Sequence, residues 1–223
     1  METNVRVSET IRLGTLLALT GGFMDAYSYL VRGGVFANAE TGNIVLMGIN
    51  LAQGNWGRTL YYLVPVVSFA FGVFVAEWIQ KRIGENPRVH WKEGVLWAEI
   101  LLIFAAGLIP QSGNALVNSM IAFICAMQVE AFRKVRGKAY ATTMCTGNLR
   151  SGTELLSLGQ FEHDGSKKRA GLHFYWIDLV FIAGAAAGAL VCGRIGEKSI
   201  WLCNVTLLLS LAFIHREKRG REV

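Results

Sequence analysis

Apolar positions along this chain gather into long blocks. Six of them, near residues 10–31, 58–80, 93–110, 113–132, 170–193 and 198–215, are long enough for a helix to cross the bilayer. Spanning roughly 30 Å of hydrocarbon takes about 20 helical residues. Two shorter blocks lie near 41–55 and 146–159, and each opens with the same tripeptide, Thr41-Gly42-Asn43 and Thr146-Gly147-Asn148. The pattern predicts an all-α polytopic membrane protein. Whether the two short blocks also cross decides its topology.

Loop charge separates the alternatives. If the short blocks do not cross, 17 of the 22 Lys and Arg fall on one side and Arg32, Arg58, Arg194 and Lys198 on the other. If both cross, the split is 10 against 11. Cytoplasmic loops of membrane proteins carry an excess of Lys and Arg, so the first arrangement is the one expected. It gives six transmembrane helices, both termini cytoplasmic, and two short helices that do not cross.

An internal repeat fits this plan. At a shift of 105 positions, Asp25-Ala26-Tyr27 meets Glu130-Ala131-Phe132, the two Thr-Gly-Asn tripeptides coincide, and Trp56 meets Phe161. Beyond an insertion around 162–168 the shift becomes 112, where Arg82-Ile83-Gly84-Glu85 meets Arg194-Ile195-Gly196-Glu197. The chain reads as a single membrane domain of two repeats, 10–110 and 113–215. Three spanning helices per repeat force the second copy to insert upside down, the inverted-repeat plan of many transporters.

Composition agrees. Of 223 residues, 52% are hydrophobic and 17% charged, against about 25% charged in an ordinary soluble domain. That balance excludes a disordered chain, a disulfide scaffold and most soluble enzymes. The net charge of +6 comes from separate short basic clusters, without a nucleic-acid-binding motif. Cys125, Cys145, Cys192 and Cys203 form no CxxC and sit in apolar stretches, which reads as reduced and structural.

Chemistry concentrates in two places. Thr and Asn cap helix starts, and Gly lets backbone approach closely. Thr41, Gly42, Asn43 and Thr146, Gly147, Asn148 therefore suit half-helices whose N-termini point toward the membrane interior. Capping of a short interfacial helix is the plainer alternative. Arg150 and Glu154 in the second segment stand one helical turn apart and are expected to pair. Four acids interrupt the apolar blocks: Asp25, Glu99, Glu130 and Asp178. An ionised residue at mid-bilayer costs about 2.5–3.5 kcal/mol on insertion scales, so these acids must be protonated, paired, hydrated or near an interface. Asp25 and Glu130 are equivalent by the repeat and lie beside small-residue rows, Gly14-Ala18-Gly22-Ala26 and Ala122-Ala126. They are the first candidates for a coupled proton or cation. The alternative for Glu130 is a simple pair with Arg133 or Lys134. Glu99 and Asp178 face Asn204 and Val66 in the other repeat.

Gly22-Phe23-Met24-Asp25-Ala26, Glu40-Thr41-Gly42-Asn43 and Cys145-Thr146-Gly147-Asn148-Leu149 resemble the YoaK-like family of bacterial membrane proteins, a family without assigned function. The resemblance covers nearly the whole chain. It implies a six-helix, multi-pass protein of the bacterial inner membrane and supplies no substrate, cofactor or catalytic residue. The expected function is small-solute transport, proton- or cation-coupled, with the site at the interface of the repeats. A passive channel and a non-transporting scaffold or regulator are the alternatives. No HExxH, GxSxG or Walker motif is present, so an enzyme, a cofactor and a metal are not expected. The expected partners are the lipid bilayer and a small solute or ion, with no nucleic acid.

Overall fold

A computed structural model describes residues 10–83, 91–135, 138–140 and 142–221. Arg6, Arg88 and Arg136 of the basic clusters, and Gly84 and Glu85 of the repeat match, lie outside these residues. The fold is all-α. Its helices are α1 (Ile11–Val31), α2 (Glu40–Ala52), α3 (Trp56–Ile83), α4 (Trp91–Ala106), α5 (Asn114–Ala131), α6 (Cys145–Phe161), α7 (Gly165–Ile195) and α8 (Leu202–Arg221). A two-residue antiparallel hairpin, β1 (Lys134–Val135) and β2 (Lys138–Ala139), follows α5, where a loop was expected. Among the described residues, three helical segments are long and apolar enough to cross a membrane: Trp56–Ile83, Gln111–Ala131 and Gly165–Arg216. The last contains both α7 and α8. By the same measure α4 is short, at 16 residues, against the 93–110 block read from the sequence.

The helices pack in the row α6–α7–α1–α8–α4–α5–α3–α2. Exchanging α1 with α5, α2 with α6, α3 with α7 and α4 with α8 maps this row onto its own reverse. The row is interlaced: α1 lies against α7, and α5 against α3, so each half of the chain is clasped by the other. Glycines make these contacts possible. A Cβ on Gly22 of α1 would stand 2.0 Å from the Phe181 carbonyl of α7, and one on Gly184 of α7 would stand 2.2 Å from the Leu19 carbonyl of α1. In the other clasp, a Cβ on Gly72 of α3 would meet the Phe123 carbonyl of α5 at 2.4 Å. Small residues let backbones approach where no hydrophobic effect drives helices together. Outward, α3 and α7 present Phe71, Phe74, Leu179 and Ile182 to the surroundings, the surface expected of helices against lipid.

Arg32 ends α1 and is fully buried, not a solvated loop charge as the topology reading placed it. Its Nε donates to Tyr27 Oη (2.7 Å), one terminal nitrogen to Asn114 Oδ1 (3.3 Å) and the other to the Ala106 carbonyl (2.9 Å). Tyr61 and Asn118 donate to its own carbonyl at 2.8 and 2.9 Å. One guanidinium thus ties the ends of α1 and α4 to the start of α5. Charge-assisted bonds of this kind are the stronger ones.

Candidate functional site

The segments leading into α2 and α6 both reach α1 near Gly21. On the first side, Asp25 is 6% exposed and its Oδ1 accepts from the Asn38 backbone N–H at 2.9 Å. Asn38 Nδ2 donates to the Gly21 carbonyl (2.8 Å), and the Ala37 N–H donates to Ser28 Oγ (3.2 Å). The 37–38 backbone is thereby laid across α1, with a buried carboxylate supplying the acceptor that water would supply elsewhere. On the second side, Thr143 Cγ2 would stand 2.8 Å from a Cβ on Gly21. Only glycine leaves room for that segment. Neighbouring Thr142 is bonded to Gln128 of α5.

Gln128 leads to Glu99 of α4. With its amide oriented to oppose donors to acceptors, Gln128 Nε2 donates to both Glu99 oxygens (2.7 and 3.1 Å) and its Oε1 accepts from Thr142 Oγ1 (3.0 Å). Glu99 is fully buried. Among the described residues no cation lies within ion-pair distance of Glu99 or Asp25. Cys125 of α5 is buried as well.

The line of polar groups continues toward α7. Cys145, the first residue of α6, is within electrostatic range of both Asp25 and Asp178 and is hydrogen-bonded to Asp178. Asn148 Nδ2 donates to Asp178 Oδ1 at 3.1 Å. The 142–145 segment therefore carries a polar line: Thr142 leads through Gln128 to Glu99, Thr143 meets α1 at Gly21, where Asn38, bonded to Asp25, also docks, and Cys145 meets Asp178. Buried oxygens of Asn38, Glu40, Thr143 and Asn204 have no partner among the described residues. Unpaired buried polar atoms are uncommon and mark places where water or a ligand belongs.

The candidates named from the sequence divide. Asp25, Glu99, Asp178 and Asn148 fall on or beside the line. Glu130 does not: it lies at an edge, bonded to Arg133 at 2.8 Å, and Arg133 also reaches Glu77 at 3.5 Å. The pairing with Arg133, read from the sequence as the alternative for Glu130, is present. Thr41, Thr146 and Gly147 are exposed. The residues preceding the helices are Ala39 and Met144, with no side-chain cap bond, so the threonines do not cap as expected. Asn43 is buried and turned onto the preceding segment. It donates to the Phe36 carbonyl (2.8 Å) and to Glu40 (2.9 Å), and accepts from the Phe36 N–H (3.3 Å). Gly42 packs under the Phe36 ring. Arg150 and Glu154 are both exposed and are not paired with each other.

Asn38, Gln128, Thr142 and the two cysteines were not singled out beforehand. Gln128 carried a usable signal, since an amide inside an apolar block raises the same question as an acid. Asn38 lay just before the Thr-Gly-Asn motif. The cysteines carried none, because cysteine in an apolar block reads as a small hydrophobe; all four are free thiols.

A family model described as "Protein of unknown function (DUF1275)" matches residues 13–213. The chain is similar to UPF0700 transmembrane protein YoaK of Bacillus subtilis (strain 168), 28% identical over 153 residues. That alignment covers 64% of this chain and 65% of the relative. No solved structure matches.

Proposed function

This chain belongs to the DUF1275 family of membrane proteins, and from that footing we propose that it is a small-solute transporter of the bacterial cell membrane. Its two halves are inverted repeats, 10–110 and 113–215, with both termini cytoplasmic and six crossings. The reversible row of helices supports that arrangement. The reading is carried by one observation: carboxyls without counter-ions among the described residues, Asp25 and Glu99, lie on a polar line of hydrogen bonds and close contacts that runs between helices of both halves. A buried acid is tolerated in hydrocarbon when it can give up its charge by taking a proton. Asp25 and Glu99 are thus the proton carriers of this proposal, in place of the pair Asp25 and Glu130. Asn38, Glu40 and Thr143 offer unpartnered oxygens to the solute, and rocking of one half against the other alternates access. Its chemistry is transfer across the membrane, not catalysis.

The test uses purified protein in proteoliposomes that trap a pH-sensitive dye, exposed in turn to gradients of amino acids, sugars, organic acids and monovalent cations. At least one gradient is expected to move protons, with the rate lost tenfold or more in Asp25→Asn and in Glu99→Gln and kept in Glu130→Gln. Solute flux unchanged in both Asp25→Asn and Glu99→Gln removes the coupling. Flux in the absence of any dye response favours a passive channel.

A further inference from the structure

Where α4 meets α8, at the middle of the helix row, lies a cavity of about 470 Å³ lined by Trp97, Leu208, Leu211, Ala212, His215 and Arg216. Its α8 wall is apolar at Leu208, Leu211 and Ala212, and His215 and Arg216 stand together at one end. Trp97 and Leu208 are half exposed, so the groove opens outward and is not part of the core. His215 faces Glu93 at 3.8 Å. Arg216 has no ion pair among the described residues. The chain then continues as Glu217-Lys218-Arg219-Gly220-Arg221, adding three cations and one acid beyond the groove.

A groove of this shape in a membrane protein meets acyl chains along its wall and headgroups at its charged end. Apolar contact alone accepts any lipid. The charged end does not: Glu93 is largely covered and turned toward His215, so the fixed charge left open at the rim is that of Arg216, which a phosphate meets and which repels the ammonium of a zwitterionic headgroup. Basic clusters just beyond a transmembrane helix select anionic lipid on the same ground. We propose that this groove binds one anionic phospholipid, its acyl chain on Trp97, Leu208 and Leu211 and its phosphate at Arg216. Because α4 belongs to one half of the chain and α8 to the other, the lipid fastens the halves at their seam.

Trp97 supplies the probe, since bromine on an acyl chain quenches indole fluorescence only at contact. The full chain is placed in phosphatidylcholine nanodiscs titrated with brominated phosphatidylglycerol or with brominated phosphatidylcholine, and the Trp97→Phe variant gives the background of the other five tryptophans. The Trp97-dependent quenching is expected to reach half-maximum at a mole fraction at least threefold lower for brominated phosphatidylglycerol. Arg216→Gln is expected to abolish that preference, and a chain carrying Lys218→Gln, Arg219→Gln and Arg221→Gln to keep most of it. Equal quenching by the two lipids overturns the proposal, as does a preference for brominated phosphatidylglycerol that is undiminished in Trp97→Phe. A preference that disappears only with the tail substitutions also overturns it, because attraction would then come from the basic tail and not from the groove.

Discussion

The short helices α2 and α6 occupy matching places in the row, each laid on the long helix that follows it, yet they present different faces. At the 105-position shift, Val45, Gly48, Ile49 and Ala52 of α2 stand where α6 has Arg150, Thr153, Glu154 and Ser157. All eight are exposed apart from their packing within the molecule. Their attachments differ too. α6 is pressed onto α7 through glycines: a Cβ on Gly159 would meet the Lys168 nitrogen at 2.8 Å, and one on Gly171 the Gly152 carbonyl at 2.8 Å. Gly48 and Gly57, on the α2 side, face open space; α2 is instead secured at its start by Asn43. Two helices in matching places of the row therefore carry different exposed faces, one apolar and one polar. Position in the row does not dictate which side chains a helix exposes.

Three changes probe that contrast. The largest effect is expected from Ile49→Glu, which places a charge on the face of α2 read as lipid-facing. A loss of about 2.5–3.5 kcal/mol is anticipated, measured as reduced thermal stability in nanodiscs, while Glu154→Ile on α6 is expected to be tolerated. Equal losses would erase the distinction between the faces. Next comes Asn43→Ala, which removes three interactions around Phe36 and Glu40. It is expected to cost about 1–3 kcal/mol and more than Asn148→Ala, which removes the bond to Asp178. The reverse order would show that the second attachment, not the first, depends on its asparagine. Smallest is Gly159→Ala, expected to destabilise by about 1–2 kcal/mol through overpacking against α7, with Gly48→Ala neutral or slightly stabilising because alanine favours helix. A melting series on the two variants decides it.

Much of the framework was legible in the sequence. The blocks at 10–31 and 113–132 correspond to Ile11–Val31 and Asn114–Ala131, and the short blocks to Glu40–Ala52 and Cys145–Phe161. Long apolar runs leave helices little choice, since every backbone group must be satisfied within the segment. Small-residue rows announced close packing in α1 and α5, but not which helices would cover them, because a small-residue face does not name its neighbour. The site was harder. Equivalence under the repeat suggested Asp25 and Glu130 as a pair, yet Glu130 has Arg133 one turn away, whereas the Asp25 carboxyl accepts from the Asn38 backbone N–H. Arg32 looked like an ordinary loop charge; its burial depends on acceptors at Ala106 and Asn114, far along the chain. Such partners are supplied by tertiary structure, and local sequence carries no trace of them.

The interlaced row also bears on how the protein is made. α1 leaves the ribosome first, but the helix that covers its glycine face, α7, is completed roughly 160 residues later. At about 5–20 residues per second that is an interval on the order of 10–30 s. Throughout it, α1 must be sheltered by lipid or by the insertion machinery. A nascent chain cut short before α7 would expose Gly22 and its neighbours and present a substrate for membrane quality control.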